Sequence, residues 1–309
     1  MLLDAFSRFF LQFDLVVKPY RNNGLPLPFM GDGKTLDIED ILTQRVAAGK
    51  AKIVIRKDDV AQITKIDVRP QDKIAVLLFR RSDPAAATPV FEHRKTGALR
   101  RAHKDVDEAV SVSSHMIVHL DPQPGAHNRY RTIIEEVPGL GRTYMEAILA
   151  EALRNAKYSY KDHRGDEKET YSLIDFQGVK SEGLSNALKK GSLSFIELVR
   201  PATIQGLDTE GVLAPKEERL RIAVKAQAEG LKLIERVRAW AKANNWDDVR
   251  VRINMSDDRS RVVTIAREEE AADILFVRAE QVRVTRPLDP CTDKINEELV
   301  KKALEVLKK

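Results

Sequence analysis

A single cysteine, Cys291, occurs in 309 residues. It excludes an internal disulfide and a cysteine-based zinc site, and its neighbours Pro290 and Thr292 match no nucleophile signature. Aromatic residues make up only 6%, and no apolar run approaches the roughly 18 residues of a membrane span, so no membrane partner is expected. The amino terminus MLLDAFSRFFLQF carries Asp4 and Arg8 and lacks a small-residue cleavage site, which argues against a signal peptide and for a cytoplasmic location. GxxxxGK[ST], GxSxG and a GxGxxG placed between strand and helix are all missing, so no nucleotide or other cofactor is expected. His115, His119 and His127 lie close in sequence. However, the surrounding Val112, Met116 and Val118 suit a strand, where a spacing of four separates two rings by roughly 13 Å, too far for one metal ion. Asp273 and Glu280 are the nearest approach to a nuclease metal site, but the position that would need a lysine holds Val282. Glu135 and Glu136 are expected to face solvent or cap the following helix. No catalytic or metal-binding residue is assigned, and an enzymatic role is not favoured.

The chain does have enough apolar residues, 43%, to bury two cores. The predicted fold class is α+β (mixed), with two domains, each a largely antiparallel sheet with packed helices. Residues 8 to 20 read as β-rich. A helix carrying Ile38, Ile41, Leu42 and Val46 on one face follows, capped by Thr35 or Asp37 and ended by Gly49. Residues 50 to 83 read as an antiparallel meander, and AVSVSSHMIVHL as a further strand. The polar stretch YSYKDHRGDEKE has no periodicity, so the boundary is drawn there, giving domains 1–160 and 161–309. In the second, YSLIDFQGV reads as a strand, SEGLSNALKKG as a short helix capped by Ser181, and residues 216 to 244 as the longest helix. On that helix Arg221, Lys225, Lys232 and Arg236 fall within roughly 60° of one another. Glu218, Glu229 and Glu235 interleave with them, so ion pairing on a solvated helix explains the stripe. DVRVRINM, SRVVTIA and DILFVRAEQVRV return to strand, and a helix from Thr292 to Leu307 closes the chain.

The net charge of +5 is uneven: residues 1–165 hold 26 Lys and Arg against 21 Asp and Glu, and residues 166–309 hold 26 against 26. Its densest positive cluster is His93, Arg94, Lys95, Arg100, Arg101, His103 and Lys104 around Gly97, blunted by Asp105, Asp107 and Glu108. Such a run reads either as a solvated loop or as a grip on phosphates. The stretch most suggestive of function is Tyr130 to Ala156. There Gly139 and Gly141 flank Leu140 after Pro138, and Met145, Ile148, Leu149, Ala152, Leu153 and Ala156 line one helical face. Glycines before a helix allow a tight turn and leave its N–H groups facing outward, where they favour an anion. The plainer reading of the same residues is strand, Pro-Gly turn, helix.

VPGLGRTYMEAIL resembles the helix-hairpin-helix motif of DNA-repair and recombination proteins. The resemblance implies backbone contact with DNA through Gly139, Gly141 and Arg142, without base reading, although Met145 stands where the motif usually has alanine. SSHMIVHL, IIEEVPGLGRTYMEAIL and LKKGSLSFIELVRP together faintly resemble prophage-borne phage-exclusion proteins. That resemblance implies a defence role, nucleic-acid contact and self-association as a homo-oligomer. The leading expectation is a sequence-independent, non-enzymatic DNA-binding protein using Gly139, Gly141, Arg142, Arg94, Lys95, Arg100, Arg101 and Lys104. A metal-dependent nuclease with a divergent site and a protein-sensing or protein-sequestering module are the alternatives.

Overall fold

A computed structural model describes residues 3–22, 24–31, 35–161, 164–183, 192–200, 217–224, 230–246, 248–254, 260–266 and 275–308. In chain order the elements are β1 (Ser7–Pro19), α1 (Ile38–Ala47), β2 (Lys52–Arg56), β3 (Asp59–Arg69), β4 (Ile74–Asp83), β5 (Val90–Glu92), β6 (Leu99–Arg101), β7 (Val110–His119) and β8 (Arg129–Glu135). Then follow α2 (Arg142–Arg154), β9 (Lys157–Lys161), β10 (Glu167–Gly178), β11 (Lys180–Gly183), β12 (Ser192–Arg200), β13 (Glu218–Ala223) and α3 (Gly230–Ala243). The chain ends with β14 (Asp248–Asn254), β15 (Ser260–Ala266), β16 (Leu275–Val277), β17 (Ala279–Arg283) and α4 (Glu297–Leu307). The protein is therefore mixed α+β with antiparallel strands.

Met1–Val179 with Ala279–Lys309 form one compact unit and Lys180–Arg278 another. In the first, a nine-stranded antiparallel sheet runs β2-β3-β4-β7-β8-β1-β10-β9, with β17 also paired to β1. The long strand β1 organises it. One edge pairs Phe10 to Val16 with β8, and the other pairs Ser7 to Leu11 with β17 and Phe13 to Pro19 with β10.

Helix α2 touches β2 and β3 as well as β10. Six strand spacings separate β2 from β10, roughly 29 Å if flat, whereas a helix with its side chains is about 10–12 Å across. The sheet must therefore curl around α2, whose Met145, Ile148, Leu149, Ala152 and Leu153 are buried. Helix α1 packs beside it, capped by Asp37, which accepts from Asp40 N at 2.8 Å and Gly31 N at 2.7 Å. This capping also explains the grouping of Asp37, Glu39 and Asp40, since acidic residues in a first turn complement the helix dipole. A separate core joins Phe10, Ile117, Ile133 and Val282 to Leu299, Val300, Ala303 and Val306 of α4.

In the second unit the sheet order is β13-β12-β14-β15. Ile196, Leu198, Val249, Val251 and Ile253 form its core with Ile234 and Ala241 of α3 and with Trp246. Strands β11 and β16 pair separately.

Several expectations change, among them the start of the last helix, which falls at Glu297 after an Asn296 cap rather than at Thr292. The boundary expected between residues 160 and 161 falls inside β9, which pairs with β10, and β10 with β1; polar residues alternating on a half-exposed hairpin imitate a linker. The helix expected over 216–244 holds a strand at Glu218–Ala223, and α3 begins only at Gly230. Leu220 and Ile222 face Leu198 and Ile196 across the ladder, so a period of two imitates part of a helical one. Arg221 thereby leaves the presumed helical stripe and sits 4.4 Å from the Phe195 ring and 3.1 Å from Glu197 Oε1. Ser181 lies in β11 rather than at a helix cap, and 184–191, like Asp273 and Lys225, lie outside the described residues. Among the described residues no helix is long and apolar enough to cross a membrane.

Candidate nucleic-acid interface

β8 leads into a β-turn, Val137–Leu140, closed by Leu140 N donating to Val137 O at 3.1 Å. Pro138 takes the position where its fixed φ is favourable, and Gly139 follows with φ +86, a backbone region that side chains with a Cβ avoid. Gly141 is the N-cap of α2 with φ −88 and ψ 176, and no side chain caps the helix. The segment is thus strand, turn and helix, with β8 where the hairpin motif would have its first helix. Gly139, Gly141, Arg142 and Thr143 are exposed. Leu140 beneath them is fully buried and anchors the turn.

Arg81 fixes this turn from the sheet. Its Nη1 donates to Gly139 O at 2.6 Å, while Nε and Nη2 form a two-point bond with Asp59 at 2.9 and 2.7 Å. Its guanidinium lies 5.0 Å from the Tyr144 ring. These Arg81 hydrogen bonds hold the Asp59 carboxyl below the usual range, against the opposing effect of burial. Arg142 is also engaged: Nη1 donates to Phe176 O at 3.2 Å, and the guanidinium lies 5.6 Å from the Phe13 ring. A cavity of about 420 Å³ opens beside the turn, lined by Phe9, Leu11, Ile134, Val137 and Tyr144 among others.

The basic segment forms a two-stranded ribbon. Val90 pairs with Arg101, Phe91 with Arg100 and Glu92 with Leu99. His93 N donates to Ala98 O at 2.9 Å, and Gly97 at φ +70 turns the tip. Every residue from Val90 to Arg101 is exposed, so Arg94, Lys95, Arg100 and Arg101 all face solvent. Lys104 is different: its Nζ donates to Pro84 O at 2.9 Å and ties the base of the ribbon. That base, Asp83, Pro84 and Ala85, lines a second cavity together with Arg81 and Tyr144. The base of the ribbon and the start of α2 therefore come together at one end of the sheet.

A buried polar network escaped the sequence reading. Glu135 is 3% exposed rather than solvent-facing; it points into the space between β8, β7 and β1. Its Oε2 accepts from His115 N at 3.0 Å and lies 2.7 Å from His115 Nδ1. Arg8 Nε stands 2.9 Å from its Oε1, an ion pair without hydrogen-bond alignment. His115 Nε2 accepts from Asn296 N at 3.2 Å, which assigns the ring proton to Nδ1, facing Glu135. With Nε2 occupied by a backbone amide, His115 has no free lone pair to act as a base. The arrangement instead ties β7 and β8 to the cap of α4, where Asn296 accepts from Leu299 N at 2.9 Å. His115 and His119 share strand β7. Burial raises the Cys291 thiol above its ordinary value, which disfavours the reactive thiolate.

The alternation of Ser114, His115 and Met116 hid this network, because it reads equally well as a strand of mixed polarity. The chain matches no protein-family model, no curated protein and no solved structure.

Proposed function

We propose that the protein binds nucleic-acid backbone without reading sequence, through the β5–β6 ribbon and the turn at the start of α2. The observation that carries this reading is the ribbon, a wholly exposed hairpin bearing Arg94, Lys95, Arg100 and Arg101. A two-stranded ribbon is narrow enough to lie along a nucleic-acid groove, and its cations would displace counterions condensed on phosphates. The uncapped start of α2 adds N–H groups and a dipole that favour an anion. Arg142 contributes charge more than reach, since Phe176 O and Phe13 hold it. Self-association and a role in phage exclusion belong to the same proposal, supported by the resemblances of the sequence, and a cytoplasmic setting is proposed with them.

Binding to labelled DNA across a salt series tests the reading. Affinity should fall steeply with salt, and replacing Arg100 and Arg101 together by alanine should reduce the log–log slope by about 1.4 to 1.8. A folded variant that keeps the full slope would show that the ribbon is not the contact surface.

A further inference from the structure

The ribbon carries apolar surface as well as charge. Phe91 is 53% exposed, Val90 50% and Leu99 72%, although each lies in a strand beside a charged neighbour. Pairing and pleat place Phe91 and Arg100 on one face, and Val90, Arg101, Glu92 and Leu99 on the other. The Arg100 guanidinium lies over the Phe91 ring, 5.0 Å from its centroid, so a planar cation covers one face of a ring that is still 53% exposed.

A surface that only tracks duplex phosphates has no use for an exposed ring, because duplex bases are stacked away from it. A membrane-seated ribbon would gather its apolar residues on one face. Here they are divided between both faces, with Glu92 beside Leu99. A single strand offers what this ribbon matches: phosphates for the arginines and unstacked base faces for the ring.

We propose that the ribbon takes single-stranded nucleic acid, with Phe91 stacking on a base while Arg100, on the same face, holds the adjoining phosphate and Arg101, on the other face, adds charge to the grip. This rests on the nucleic-acid reading above and specifies its substrate. Stacking on an aromatic face is tolerant of base identity, so the site remains insensitive to sequence.

The test uses the full chain with labelled single-stranded DNA and RNA oligonucleotides, the matched DNA duplex and phosphatidylserine vesicles. Single strands should bind about tenfold more tightly than duplex. Phe91→Leu, which keeps the apolar bulk and removes the ring, should erase that preference without changing the salt slope, and Phe91→Tyr should retain it. Equal affinity for duplex and single strands, unaltered by Phe91→Leu, would overturn the proposal while leaving backbone binding intact. Absence of binding to every oligonucleotide would sink both readings. Vesicle binding in place of oligonucleotide binding would do the same and assign the ribbon to an anionic lipid surface. The two DNA and RNA arms separate the possible sources of the strand, and either one satisfies the proposal.

Discussion

Gly139 holds a φ of +86, where a β-branched side chain would be strained by more than about 1 kcal/mol. Gly141, at φ −88, has no atom within 4 Å of an added Cβ. Gly139→Val should therefore lower the midpoint of urea unfolding. Gly141→Ser, by contrast, should raise stability by a few tenths of a kcal/mol, because serine can cap the helix that glycine leaves uncapped. Equal destabilisation by both changes would show that the turn is held differently. The buried network gives a larger effect. Glu135→Ala removes the carboxylate that faces both Arg8 and His115, and leaving a buried cation unpaired costs about 3–5 kcal/mol. Denaturant unfolding measures this, and a loss under 1 kcal/mol would mean that water or another group replaces Glu135.

At the scale of elements, the link from β3 and β4 to the turn makes stability depend on acid. Asp59 titrates below its ordinary value because Arg81 donates to it. A carboxylate with a depressed folded pKa contributes stability that is complete above its unfolded pKa, about 3.9, and is lost as pH falls through the folded value. Asp59→Asn should therefore be less stable than the parent at pH 7 by about 2 kcal/mol, with the gap closing below about pH 4. Thermal unfolding at pH 7 and pH 3 decides it, and a gap that persists unchanged at pH 3 would remove the ion pair as its cause. Since Arg81 also holds Gly139 O, the same variant should loosen the start of α2.

At the scale of the whole molecule, the C-terminal segment completes the first unit. β17 pairs with β1, and α4 buries Leu299, Val300, Ala303, Val306 and Leu307. Each of the large side chains contributes about 1.5–3 kcal/mol by burial, which together approaches the entire stability of a domain, about 5–15 kcal/mol. A chain ending at residue 278 should accordingly lose cooperative unfolding or aggregate. A truncated protein with the parent's melting profile would show that the sheet does not need this segment.

Local patterns determined much of this protein: the α+β class, the strand at β1, the meander, α1 with a cap at Thr35 or Asp37, the buried face of α2 and the exposed basic run. These depend on side-chain period, turn chemistry and caps, which act over a few residues. Only tertiary structure decided that β9 and β10 join the first sheet, that β17 and α4 return to it, and that Glu218–Ala223 is a strand. Each of those outcomes depends on a partner far away in the chain, and a short apolar alternation suits either answer until the partner arrives. The candidate interface divides in the same way. Its cations and glycines were legible one by one, but the Arg81 bond to Gly139, the cation–π contact of Arg100 with Phe91 and the burial of Glu135 arise from strand register. Shifting that register by one residue would turn every one of those side chains to the other face.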